Sequence, residues 1–440
     1  MTNRMGSFAL IWTGQVVSLV GSGLTGFALG VWVFQQTGSA TAYTLIALSG
    51  SLPALLMSPL GGALADRWPR RLAILGSDAA AALGSLFLLL MLAGGGLRIW
   101  HVYAVVAFGS VCNSLQIPAF MAAVTMLAPR RQLGRASGMM QFGNSAAGIL
   151  SPLLAGALLA AVPLWAIIVI DLATFLFAAA TLFFARIPEP ERTETEKADR
   201  RSLLGNAAFG WRYIVERPGL AALAGYFAML NLLVGMTTVL VAPLVLSFAG
   251  SAELGRVQSL ASAGLLAGGL IMTAWGGGTR HIRTILGLSP LLGTALLLVG
   301  VRPSVALIAA GLFFFFLIVP VINGSSQVIW QTKVEPGVQG RVFATRRLIA
   351  QGTLPLAFLI AGPLADRVFG PLLAVDGALA PSLGAVLGTG PGRGIGLFFL
   401  TMGAVIFLCT VAARTLPRFA RIEEDLPDAH IPATPEIGAA

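Results

Sequence analysis

The sequence predicts an all-α membrane protein of twelve transmembrane helices arranged as two six-helix halves. Three observations carry that expectation. Hydrophobic residues make up 56% of the 440-residue chain and charged residues only 10%, with a mean hydropathy of +0.85. A soluble domain carries about a quarter charged residues, so a soluble fold of this composition could not cover its own surface. Twelve separate runs each offer the roughly 20 apolar residues needed to cross the hydrocarbon. Helices are the sensible reading, because open strands leave backbone groups unpaired in lipid. Finally, the longest polar segment, 186–218, parts the runs six and six.

In order, the runs lie at about 8–34, 43–64, 72–94, 101–127, 136–160, 164–185, 219–248, 255–277, 284–301, 305–332, 342–365 and 393–415. Residues 1–7 carry Arg4, as a signal peptide would, but the apolar run that follows is too long and ends in no small-residue cleavage site. It reads as a retained first span. An even number of spans puts both termini on one side, and the basic residues choose the side. Of the 28 lysines and arginines, all but Arg98, Arg256, Arg302, Arg367 and Arg393 fall on the side of the termini. That side is therefore cytoplasmic. The net charge of +10 answers to anionic lipid rather than to nucleic acid.

The expected domains are an N-terminal half (1–185), a cytoplasmic linker (186–218), a C-terminal half (219–415) and a cytoplasmic tail (416–440). The first part of the linker alternates charge with almost no apolar residues and reads as flexible. In its second part Leu203, Leu204, Ala207, Trp211, Ile214 and Val215 recur at helical spacing opposite Arg212, Glu216 and Arg217, which predicts a short helix on the membrane surface. The tail is rich in acid and proline and is expected to be disordered.

Chemistry is sparse. Cys112 and Cys409 both fall inside apolar runs, so neither a disulfide framework nor a metal-ligand spacing arises. His101, His281 and His430 stand at span ends or in the tail. An intramembrane enzyme needs a nucleophile with its base, or a metal cluster, and neither pattern occurs. The chain is expected to be no enzyme, to use no cofactor or metal, and to act as a monomer.

The most informative stretch is the loop Gly61-Gly62-Ala63-Leu64-Ala65-Asp66-Arg67-Trp68-Pro69-Arg70-Arg71. Glycine lets two helix ends approach closely. Asp66 can accept hydrogen bonds from the N-terminal N–H groups of a neighbouring helix, and Arg67, Arg70 and Arg71 can pair with it or with lipid phosphate. Tight cytoplasmic loops collect arginine in any case, so the ordered set, Gly62 through Arg71, is the sharper signal. It resembles the loop signature of the major facilitator superfamily of secondary transporters, with Pro69 where that pattern usually has glycine. Pro118-Ala119-Phe120, Ala128-Pro129-Arg130, Leu133-Gly134-Arg135-Ala136-Ser137-Gly138, Asp171-Leu172-Ala173-Thr174-Phe175 and Gly388-Thr389-Gly390-Pro391-Gly392 are similar to a bacterial branch with macrolide-efflux and siderophore-export proteins. The resemblance implies the major facilitator fold, alternating access and efflux of a small amphipathic molecule, a drug, antibiotic or secondary metabolite. Import or facilitation of a solute is the alternative within transport; a non-transporting receptor or scaffold is the alternative outside it. Span five fills the family's exporter motif with Gly138, Ala147, Ser151, Pro152, Ala155 and Gly156, all small residues or proline. Protons often drive such transporters, but span one carries no acid and span four lacks the arginine of many proton-coupled members.

The halves show weak internal similarity. Gly276-Gly277-Gly278-Thr279-Arg280-His281-Ile282-Arg283 reads as a worn copy of the Asp66 loop without its acid. Parallel halves place a substrate site at midplane between them. Intramembrane amides are costly unless they face the bundle or a wet cavity, and spans three, six, nine and twelve have none. These four should be peripheral, which agrees with a family layout in which spans one, four, seven and ten line the cavity. Cavity candidates are Gln15, Ser18, Ser22, Asn113, Gln116, Asn231, Asn323 and Gln327. Asp78 and Asp171 are the acids inside the spans. Both sit on peripheral spans and read as structural, Asp78 within reach of the loop arginines. Gly362-Pro363-Leu364-Ala365-Asp366-Arg367 looks like the first motif but falls on the opposite side of the membrane. It reads as a helix end entering a long outer loop rather than as a second gate.

Overall fold

A computed structural model describes residues 4–184 and 203–429. Helices long and apolar enough to span a membrane number twelve among the described residues. They are Arg4–Thr37, Ala40–Arg67, Arg70–Ala93, Ile99–Leu127, Leu133–Ala161 and Leu164–Phe184, then Pro218–Leu246, Ser251–Trp275, His281–Val301, Val305–Lys333, Gln339–Leu364 and Arg393–Thr415. We refer to them as spans one to twelve. The charged first part of the linker lies outside the described residues. Its second part is a helix, Leu203–Val215, whose Ile214 packs inward while Trp211 and Val215 stay exposed.

The two sixes pack alike. Span one lies against five and six, two against four, and three against four and six. Spans seven to twelve repeat the scheme: seven against eleven and twelve, eight against ten, nine against ten and twelve. Spans three, six, nine and twelve make their principal contacts inside their own half, as do spans one, four, seven and ten. Lipid tails are as apolar as leucine, so close backbone approach rather than hydrophobicity holds such helices together. Gly293 and Gly403 show this between spans nine and twelve. A Cβ on either would stand 3.0 or 2.8 Å from the other's carbonyl oxygen.

The halves meet chiefly through two helix pairs, five with eight and two with eleven, with smaller contacts of span seven on spans one and two. We call the end of the bundle that carries the termini proximal, and the other end distal. A continuous core joins the halves at the distal end, where Leu24, Phe27, Val31, Ala40, Ala155 and Ile167 pack into the same cluster as Leu240, Leu244 and Leu254. At the proximal end the N-terminal half has a separate core of its own, around Phe8, Ile11, Ile74, Val124 and Leu127. Among the described residues, then, the buried core that joins the halves lies towards the distal end.

Two regions differ from what the composition suggests. The tail is ordered where disorder is expected: Phe419 and Ile422 are fully buried, and residues 416–429 pack on the proximal face of the C-terminal half. Residues 430–440 lie outside the described residues. Arg393, an exception to the charge rule, is buried rather than a loop charge. Its guanidinium donates to the Gly300 and Val301 carbonyls at 3.1 and 2.9 Å, capping the end of span nine.

Candidate functional site

The site is the seam between the halves, built first by spans five and eight. Pro152 cannot donate an N–H and so loosens the helix around it. One turn later Gly156 lies on span eight so closely that a Cβ would stand 2.5 Å from the Ser251 carbonyl oxygen and 3.1 Å from the Gly255 Cα. Gly255 in turn presses on the Pro152 carbonyl. Two hydroxyls stitch the pair: Ser259 Oγ donates to the Ile149 carbonyl at 2.7 Å, and Ser251 Oγ to the Gly156 carbonyl at 3.3 Å. The other small residues of the motif divide their work. Ala147 and Ala155 are buried, and Ser151 Oγ donates to the Val20 carbonyl of span one at 3.2 Å. Gly138 faces open space, with nothing within 4 Å of a Cβ.

Spans two and eleven form the second half of the seam, and here the structure departs from the sequence reading. Asp366, expected only to lead into a loop, reaches across to the first turn of span two. It accepts from Ser39 Oγ at 2.6 Å, from Ala40 N at 3.0 Å and from Thr41 N at 2.8 Å.

Between the seams lies a cleft of about 380 Å³. Tyr43, Pro152, Val239, Leu265, Leu312 and Phe316 give it apolar walls, and Thr238, Gln258 and Ser262 supply polar groups. An apolar pocket with a few convergent polar groups is the usual form of a small-molecule site. Of these polar groups only Gln258 stands out in the sequence, as an amide inside span eight. Tyr43, Thr238 and Ser262 belong to runs whose composition does not distinguish them.

The predicted cavity residues separate into groups. Gln15 and Gln116 come together around Asp78: Gln15 Nε2 donates to its Oδ2 at 3.1 Å and Gln116 Nε2 to its Oδ1 at 2.6 Å. Asp78 is thus met by amides, where the sequence suggests the loop arginines. Ser22 and Ser85 donate to Asp171 at 3.3 and 2.9 Å, tying spans one, three and six. Ser18 is buried. Gln327 accepts from Arg346 Nη1 at 2.6 Å, and that guanidinium stands 5.3 Å over the Trp330 ring. Asn113 and Asn323 are exposed and Asn231 is half-buried.

In the expected gating loop the backbone is helical through Arg67. The side chains of Gly62, Asp66 and Arg67 lie outside the described residues. Arg71 donates to the Phe183 carbonyl at 2.8 Å, and Arg70 begins span three. The counterpart loop in the second half winds through Gly276, Gly277 and Gly278 at φ of 73°, 84° and 79°, a left-handed run that only glycine adopts without strain. Its missing acid arrives from the tail. Glu423 accepts from His281 N at 3.0 Å and Ile282 N at 3.1 Å, capping span nine, and the Lys333 ammonium binds the Glu423 carbonyl and the Asp428 carboxylate. A carboxylate at a helix N-terminus contributes about 1 kcal/mol. Glu423→Ala is therefore expected to lower the thermal midpoint of the detergent-solubilised protein, and Glu423→Gln by less; equal midpoints for all three would show the cap to be idle.

Comparison with known proteins agrees with this geometry. A model of the Major Facilitator Superfamily matches residues 11–358. Macrolide efflux protein A of Streptococcus pyogenes is 28% identical over 372 residues, covering 82% of this chain and 90% of the relative. The multidrug efflux pump Tap of Mycolicibacterium fortuitum is 27% identical over 384 residues, 83% of this chain and 91% of Tap. The enterobactin exporter EntS of Citrobacter koseri is 27% identical over 228 residues, 51% of this chain and 53% of EntS. Among solved structures, a bacterial homologue of the human lysosomal transporter Spinster in an inward-facing, unoccupied conformation superposes with a TM-score of 0.68. That match is at 14% identity and covers 93% of this chain and 98% of the other. A bacterial homologue of the iron transporter ferroportin in its inward-facing state gives 0.65 at 15% identity, over 92% and 97% of the two chains.

Proposed function

The chain belongs to the Major Facilitator Superfamily, and from that premise we propose that it exports an amphipathic small molecule by alternating access. The carrying observation is the seam: close-packed and polar contacts join the halves distally, while the proximal ends have separate cores. With the arginine-rich proximal end cytoplasmic, this is the inward-facing state of a transporter in a bacterial inner membrane. The cleft by Tyr43, Gln258 and Phe316 suits a largely apolar substrate with a few hydrogen-bonding groups. Asn113, Asn231 and Asn323, with Gln327, would line the route from the cytoplasm. The relatives named as efflux proteins support the outward direction, as does the small-residue face of span five. Asp78 and Asp171 serve as structural acids, their carboxylates holding spans one, three, four and six together.

The test is directional. Energised inside-out vesicles are expected to accumulate a macrolide or another amphipathic drug, and a protonophore should collapse that uptake where protons are the coupling ion. Uptake confined to right-side-out vesicles would make the protein an importer. Binding without movement in either orientation would make it a receptor.

A further inference from the structure

The pattern Gly362-Pro363-Leu364-Ala365-Asp366-Arg367 repeats Gly62-Ala63-Leu64-Ala65-Asp66-Arg67 at every position but the second. Each pattern lies near the C-terminal end of its helix, span two at the proximal end and span eleven at the distal end. We propose that Asp366 is the latch that holds the distal end shut, the residue whose release lets substrate reach the far side. The proposal rests on the alternating-access reading above.

Hydrogen-bond accounting at span two carries it. The first N–H groups of any helix have no partner inside the helix. Ser39, the residue before span two, uses its Oγ to accept from Ala42 N at 3.2 Å. That leaves Ala40 N and Thr41 N, and both go to Asp366, through Oδ1 and Oδ2 respectively. The Ser39 hydroxyl donates to the same carboxylate. So the start of a helix in the N-terminal half is completed by an acid from the C-terminal half, at a sequence separation of more than three hundred residues. A carboxylate there also meets the positive end of the helix dipole.

The packing beneath the latch depends on it. One turn before Asp366, a Cβ on Gly362 would stand 2.5 Å from the Thr41 Cα, so the two helices touch backbone to backbone. Thr44, one turn into span two, is fully buried by this approach. The turn that carries Asp366, Ala365–Phe369, is wound as a wider π-helical turn, a departure frequent at functional positions. The contact crosses the seam, so it must break whenever the distal end opens. Water can then take over the freed N–H groups at little enthalpic cost, which makes the latch reversible where a wholly dry contact would not be.

The test reads the gate without substrate. A single cysteine is placed by Ala47→Cys, in the cleft below the latch, in protein whose Cys112 and Cys409 are replaced by alanine. A membrane-impermeant maleimide is added from the side opposite the termini. Labelling is expected to be slow with Asp366 intact and at least tenfold faster with Asp366→Asn. Ser39→Ala, which removes one of the three hydrogen bonds and leaves the carboxylate in place, should give a smaller rise. Arg367→Gln, at the exposed neighbouring position, should give none. Unchanged labelling in folded, monodisperse Asp366→Asn overturns the latch. Should that variant fail to fold, an unchanged rate in Ser39→Ala overturns it. Because no substrate is involved, failure of the export reading in vesicles and failure of the latch are separate results.

Discussion

Gly156→Leu is expected to abolish export while leaving the protein folded in the membrane. The obstacle is backbone: the Ser251 carbonyl, the Ala252 Cα and the Gly255 Cα all stand within 3.3 Å of where the first side-chain carbon would go. Backbone in a packed helix cannot swing aside as a flexible side chain can, so the seam itself must part. Overpacking of this kind costs about 1–3 kcal/mol and sometimes more, comparable to the few kcal/mol that separate two conformations of one protein. The wedge thus removes the distally closed state from the cycle, and substrate uptake by inverted vesicles should fall to background. Gly138→Leu is the matched control. It alters the same span and the same motif, but with open space around the position it should keep most of the activity. Equal loss in both variants would mean that packing at Gly156 is not the cause.

Asp66→Asn is expected to slow transport by about tenfold or more, with normal insertion. A charge-assisted hydrogen bond is worth roughly 1.5–3 kcal/mol, and each 1.4 kcal/mol is about a tenfold shift in a two-state gate. Spans two and eleven run antiparallel, so closure of the proximal end would bring the C-terminal end of span two to the N-terminal end of span eleven, as the opposite pair of ends already meets distally. Asp66 is proposed to close the proximal end as Asp366 closes the distal one, and the two substitutions should bias the transporter in opposite senses. Faster labelling of a proximal cavity cysteine from the cytoplasmic side would register Asp66→Asn, and the distal reporter at position 47 should label no faster. Wild-type transport rates in a well-expressed Asp66→Asn protein would show the loop to be a topology signal alone.

Much of this protein is set by one-dimensional rules. The thickness of the hydrocarbon demands about twenty apolar residues per crossing, and the runs that satisfy it are the spans observed. The cost of an amide in lipid is what leads the amide-free spans three, six, nine and twelve to be expected at the periphery from composition alone. Clustered arginines set the expected orientation for a similar reason. Each rule acts between a residue and its solvent, so each is visible residue by residue.

What the sequence leaves open is which group answers which. Gln15 and Gln116 are legible as costly polar side chains, but not as the partners of Asp78. Asp366 lies on the wrong face for a copy of the first loop; only the antiparallel pairing of spans two and eleven brings it to the orphan N–H groups of Ala40 and Thr41. The tail reads as disordered because its own composition cannot bury enough surface. Yet Glu423 meets the start of span nine, and Phe419 enters a core formed by other spans. A hydrogen-bond donor at a helix end is supplied by the backbone and carries no residue-type signature. Where the acceptor comes from is decided by which helix ends are neighbours, and that is a property of the packed bundle alone.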